Sequence, residues 1–161
     1  AAEGVARLKA IVGGEEPISE KFLIRRTLST LGILKFGNKV ENRMLALIPL
    51  CGFKREKMLG EFYYRKTDKP VTFDKYRVET GEKAVRRYET DFTPYEIIAL
   101  IKAALEDKVA LYTEEIASVA CVALRLPKVT DKFAAYINDC VTLGEERGLF
   151  VRSVSDRISL A

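Results

Sequence analysis

Lys39, Asn42 and Arg43 stand three and four residues apart in the stretch "KFGNKVENRMLALI", Lys35 to Ile48. On a helix turning about 100° per residue they share one side with Ala46, while Val40, Met44, Leu47 and Ile48 share another. Two cations, an amide and a small side chain on one stripe are what a nucleic-acid recognition helix needs. The cations meet phosphate oxygens, Asn and Arg can pair with base edges, and Ala permits close approach. Lys35 precedes the helix, Asn38 reads as its capping residue, and Lys54, Arg55 and Lys57 follow it; all could add contacts. A plain solvated helix face carries the same residue types, and Glu41 and Glu56 dilute the patch.

Other chemistries find little support. The 161 residues include no His, which removes Ser-His and Cys-His nucleophiles, the usual zinc sites and the commonest general base. Cys51, Cys121 and Cys140 are widely spaced among apolar neighbours, with no CxxC, and read as buried reduced thiols of a cytoplasmic protein. "IVGGEEP" has a Gly pair but not the spacing of a phosphate-binding loop. The pairs Glu15-Glu16, Glu114-Glu115 and Glu145-Glu146 read as solvated charge. "KAVRRYE", Lys83 to Glu89, reads as exposed linker. We therefore expect no catalytic residue, metal, cofactor or small-molecule substrate, and a non-enzyme. No run of about 18 apolar residues exists, so no membrane span is expected. The start, "AAEGVARLKAIV", lacks Met and a signal-peptide layout, as a piece of a longer chain would.

Charge is uneven. Residues 1–66 carry 13 Lys/Arg against 7 Asp/Glu, residues 67–92 carry 6 of each, and residues 93–161 carry 8 against 10. The net values are +6, 0 and −2, so a polyanion should prefer the N-terminal part.

The elements that must position the stripe are mostly helical. Val5, Leu8, Ile11 and Val12 mark a first helix stopped by Gly13-Gly14. Ser19 caps a second, on which Leu23, Ile24, Thr27, Leu28 and Leu31 share a face, and Gly32 closes it. The third runs from Asn38 to an irregular turn near Pro49. Phe/Tyr-rich arms around Leu59-Gly60 then read as a hairpin. Val71 to Val78 alternates and reads as an extended segment, broken by Gly81. "TPYEIIALIKAALE" opens with Thr93, Pro94 and Glu96, a capping box with proline at the first helical position. From there the order repeats. Ser19-Glu20 matches Thr113-Glu114 at an offset of 94, Asn38 matches Asp131 at 93, and "GLFVRSVSDRISL" supplies a second hairpin turning at "SVSD". In the second copy the outward side, Asp131, Ala135, Asn138, Asp139 and Thr142, lacks a base and suits protein contact or a structural role better than phosphate. Three helices and a two-stranded wing, twice over, describe a mainly α, α+β chain of tandem winged-helix modules. Module 1 spans 1–66, a linker with one extended segment 67–92, and module 2 spans 93–161. The competing architecture is a single all-helical domain.

"EEPISEKFLIRRTLSTLG", "FGNKVENRML", "GEFYYR" and "FTPYEIIALIKAALE" together resemble a domain of unknown function at the C-terminal end of large bacterial helicase-like proteins. Those proteins join a superfamily-I helicase region to a Vsr-like, restriction-type endonuclease domain. The matching positions are Pro17, Glu20, Arg25-Arg26, Gly37-Asn38-Lys39-Val40, Arg43, Gly60-Glu61-Phe62 and Pro94 with Glu96-Ile97. The second copy departs, since Asp131-Lys132-Phe133 has no following Arg. The resemblance implies an accessory domain of a DNA-processing enzyme, with DNA and the rest of the parent chain as partners. The alternative expectation is a protein-docking module without DNA contact.

Overall fold

In the computed structural model, which describes residues 1–68, 70–78 and 86–161, the chain divides into two compact units. Unit 1 holds the described residues up to 70 together with Arg86 and Arg87. Unit 2 holds 71–78 and 88–161. Unit 1 runs α1 (Ala2–Glu15), β1 (Ile18–Ser19), α2 (Glu20–Thr30), α3 (Asn38–Leu47), β2 (Lys54–Met58) and β3 (Glu61–Arg65). Unit 2 runs α4 (Pro94–Lys108), β4 (Ala110–Tyr112), α5 (Thr113–Ala123), α6 (Asp131–Glu146), β5 (Phe150–Arg152) and β6 (Arg157–Leu160). Each unit carries one antiparallel three-stranded sheet, in the orders β1–β3–β2 and β4–β6–β5. The chain is thus α-rich and α+β. No helix among the described residues is long and apolar enough to cross a membrane.

The helix boundaries follow from local chemistry. Phe22 N–H donates to Ser19 Oγ at 3.2 Å and caps α2. At its other end Gly32 has φ +78°, Gly32 N–H donates to Ser29 O and Ile33 N–H to Leu28 O. That is a Schellman closure, which needs a residue tolerant of positive φ. Leu31 is the residue that departs from the expected face. It sits at the C-cap and is 41 % exposed, while Phe22, Leu23, Ile24, Thr27 and Leu28 are buried. α1 also departs, continuing through Gly13-Gly14 to Glu15. What ends it is Pro17, which forces Glu16 into an extended conformation. After α3 a 3-10 turn, Ile48–Cys51, takes up Pro49 as its period predicts. The β2–β3 turn has positive φ at both Leu59 and Gly60, the signature of a type I′ hairpin.

Through their second and third helices the two units repeat at one offset. The N-cap residues of the second helices are Ser19 and Tyr112, and the third helices begin at Asn38 and Asp131. Both steps are 93 residues, so Ser19 corresponds to Tyr112 and not to Thr113. Register agrees: Ile18 pairs with Tyr64 where Leu111 pairs with Ile158. The strands β1 and β4 were invisible to periodicity because two or three residues carry no period.

Each unit has its own core. In unit 1 Leu8, Val12, Ile18, Phe22, Leu23, Ile24, Leu28, Met44, Ile48 and Tyr64 are buried together. In unit 2 the buried cluster centres on Ile97, Ile101, Ile116, Phe133, Ile137, Cys140 and Ile158. The latter includes a tight contact. A Cβ built on Gly144 of α6 would stand 2.2 Å from Phe150 Cδ2 and 2.3 Å from its Cε2. Gly144→Ala should therefore destabilise unit 2 despite the roughly 1 kcal/mol that Ala gains in helix propensity. Overpacking costs about 1–3 kcal/mol, and an approach this close belongs at the upper end, so urea denaturation should show a net loss of up to about 2 kcal/mol.

Residues 71–78, read from sequence as extended, join neither sheet. The Thr72 hydroxyl donates to the Asp74 carboxylate, a local bond that bends the backbone at the expense of a ladder. The segment is instead held along α4, with Phe73 against Tyr95 (ring centroids 4.9 Å apart) and Arg77 N–H donating to Glu96 Oε2 at 3.1 Å.

Candidate nucleic-acid interface

α3 presents its two sides as the spacing requires. Met44 and Ile48 are buried, and Val40 and Leu47 pack against them half-buried. Lys39, Asn42, Arg43 and Ala46 are all exposed, as are Lys35 and Asn38. The core contacts of Met44 and Ile48 fix the helix rotation, so the stripe is held outward by packing on the opposite side. Lys35, Lys39 and Arg43 make no ion pair among the described residues. Their charge is not spent internally.

Asn38 differs from its expected role. The N-cap is Gly37, with no side-chain hydrogen bond, and Asn38 is the first helical residue. The first N–H groups of α3 therefore lack a side-chain cap, and the Asn38 amide is left for other partners. Uncapped N–H groups and the positive end of a helix favour an anion.

The hairpin cations are of two kinds, because successive residues on a strand point to opposite faces. Arg55 and Lys57 lie on the face of Phe62, 4.5 Å and 5.6 Å from its ring centroid, opposite their strand partners Tyr64 and Phe62. Their positions are set by those rings. Lys54 points the other way and pairs with Asp68, Nζ to Oδ1 2.9 Å. That pair is well exposed and weakly held, so Lys54 contributes less net charge than its neighbours. Beneath them Tyr64 O–H donates to Glu20 Oε2 at 2.5 Å. Burial first, and then that carboxylate, raise the Tyr64 phenol well above its usual pKa, so it stays a neutral strut under Arg55. Arg25, near the polar side of α2, is engaged elsewhere: it donates to Arg86 O at 2.6 Å.

The corresponding surface of unit 2 is different. Thr130 Oγ1 accepts from Phe133 N–H at 3.0 Å and donates to Glu89 Oε2 at 2.7 Å, so α6 is capped. Tyr136, at the place of Arg43, is buried with its O–H donating to Phe92 O at 2.6 Å. Asp139 stands where Ala46 stands in α3. Asp131, Ala135, Asn138, Asp139 and Thr142 are exposed, as expected, but Lys132 is exposed as well. The face therefore includes one base that the sequence reading left out.

The cysteines are free. Burial raises the pKa of Cys51, Cys121 and Cys140, so each thiol is held in its protonated, weakly nucleophilic form. Among the described residues no group of three or more His, Cys, Asp or Glu side chains is placed to hold a metal ion. Residues 83–85 of the "KAVRRYE" stretch lie outside the described residues; of the rest, Arg87 is buried and Arg86, Tyr88 and Glu89 are half-buried, so this part is not the exposed linker expected. No family model, curated protein or solved structure matches this chain.

Proposed function

We propose that the chain is a non-catalytic accessory domain made of two winged-helix modules, and that unit 1 contacts DNA through α3 and the β2–β3 hairpin. The observation that carries this is the exposed stripe of Lys39, Asn42, Arg43 and Ala46 with Lys35 beside it and no internal counter-charge. Three features support it. The helix–strand–helix–helix–hairpin order is the winged-helix order. The hairpin carries Arg55 and Lys57 on ordered rings. The net charge of +6 lies in residues 1–66. Phosphates would be met by Lys35, Lys39, Arg55 and Lys57 and by the amides at the start of α3, and base edges by Asn42 and Arg43. The resemblance to helicase-associated chains implies a parent that handles DNA, whose motor and nuclease residues would lie outside this domain.

The test is a fluorescence-anisotropy titration of the whole chain against single-stranded, duplex and forked DNA at several salt concentrations. With about three to five phosphates neutralised, log K should fall against log salt with a slope of about −3 to −4.5. No binding to any of the three at low salt rejects the reading.

A further inference from the structure

Strand register sets the two hairpins side by side. Ile18 pairs with Tyr64 as Leu111 pairs with Ile158, and across the hairpins Arg55 faces Tyr64 as Arg152 faces Ile158. Phe53 and Phe150 stand two residues before those arginines. Both hairpins therefore open with a Phe and an Arg on one face, but the two pairs are used differently.

In unit 2 both side chains are spent inside the module. Helix α6 runs on to Glu146, and Phe150 is 3 % exposed, packed against Gly144 with no room for a Cβ between them. Arg152 donates to Glu145 Oε1 from Nη2 at 2.9 Å and from Nε at 3.2 Å.

In unit 1 neither side chain is closed in. The third helix gives way to the 3-10 turn Ile48–Cys51, and Phe53 is left half-buried, its ring centroid 6.0 Å from that of Tyr64 and its plane inclined by 55°. Arg55 is exposed and makes no ion pair among the described residues. Here the surface holds a pocket of about 300 Å³, lined by Ile48, Pro49, Phe53, Arg55 and Tyr64. The one formal charge in its lining is a cation. The Tyr64 hydroxyl is committed to Glu20 Oε2, and the remaining wall is aliphatic or aromatic. Lys57, two residues along the same strand face, lies over Phe62.

We infer that this pocket takes an unpaired nucleobase of the bound DNA, stacked on the Phe53 ring, with the phosphate of that nucleotide on Arg55. The inference rests on the DNA reading of unit 1 and adds to it a preference for DNA with unpaired ends. Three arguments select that occupant. An aromatic face accepts any base by stacking, because every base has a π-face. The charges on this strand face, Arg55 and Lys57, are of one sign and suit a phosphodiester. The volume is at the small end of ligand sites and suits one planar base better than a peptide segment.

Anisotropy titrations of the whole chain against two forked DNAs test it. Both have the same duplex and the same number of phosphates, but one has arms of four thymidines and the other has arms of four abasic sites. The thymidine fork should bind about fivefold or more tightly than the abasic fork. Phe53→Leu keeps apolar bulk against Tyr64 and removes the ring, and circular dichroism checks its fold. In that chain the two forks should bind within twofold of each other, with the affinity for the abasic fork as in the wild type. Equal binding of the two forks by the wild type, which is what a peptide-binding pocket would give, overturns the inference and leaves the DNA reading standing. So does a thymidine preference that survives Phe53→Leu. Failure to bind either fork or the duplex at low salt overturns both.

Discussion

Replacing Lys39 and Arg43 together by alanine should lower the affinity of the whole chain for duplex DNA by about thirtyfold to a few hundredfold. Arg43 should account for the larger share, since a bidentate contact to a base edge would be worth about 1–3 kcal/mol. In the proposed contact Lys39 meets phosphate, and its loss should reduce the salt slope by about 1. Both side chains are exposed without internal ion pairs, so stability should stay within about 0.5 kcal/mol of the wild type. The affinity loss then reads as lost contact, not lost fold. Lys132→Ala is the matched control. It removes an exposed cation from the third helix of unit 2, where α6 is capped by Thr130 and carries Asp131 and Asp139. DNA affinity should change less than twofold. Anisotropy titrations of the three chains at a common salt concentration decide the matter. A loss from Lys132→Ala about half as large, in log units, as that from the double variant would mean that net charge, not the α3 stripe, governs binding.

The stripe was legible from sequence because a helix face is fixed by a period, and the period of α3 is carried by residues that reach the core. The same holds for the closure of α2 at Gly32 and for the Thr93 box, where local bonds decide local structure. Four features were not legible, each because a longer-range partner decided it. Gly13-Gly14 stays helical because the stop comes from Pro17 and not from glycine entropy. Leu31 looks apolar enough for the core but sits at the C-cap, where the helix turns away. Strands β1 and β4 exist only because β3 and β6 supply edges for them. The segment 71–78 alternates like a strand, yet its side chains are claimed by α4. Among site residues, the stripe came out together, while the hairpin cations separated. Arg55 and Lys57 ride on Phe62 and Lys54 faces Asp68, a distinction that needs the register of β2 on β3.

The largest stability effect should come from Glu96, a residue whose sequence signal named only part of its work. As the third residue of α4 it completes the capping box: Glu96 N–H donates to Thr93 Oγ1 at 3.2 Å, and its Oε1 accepts from Thr93 N–H at 3.4 Å. Its other oxygen lies 3.7 Å from Arg77 Nε and accepts the Arg77 N–H. The residue is 6 % exposed. One buried carboxylate thus caps a helix and fastens the 71–78 segment to it. Glu96→Ala removes the carboxylate half of the box but leaves the residue-96 N–H on Thr93 Oγ1, so this part costs less than the roughly 1 kcal/mol of a lost N-cap. Breaking an ion pair costs about 3–5 kcal/mol where both partners are buried. Arg77 is 41 % exposed and can turn to water, so that figure must be reduced. Glu96→Ala should destabilise unit 2 by about 3 kcal/mol, and Glu96→Gln, which keeps an acceptor for the Arg77 N–H, by about half as much. Urea denaturation monitored by circular dichroism measures both. Arg77→Ala separates the two functions, since it removes the guanidinium while leaving the capping box and the backbone N–H bond in place. A loss of about 1 kcal/mol or less is expected there. If Arg77→Ala costs as much as Glu96→Ala, the ion pair and not the shared cap holds the segment, and the role assigned to the Glu96 backbone contacts is wrong.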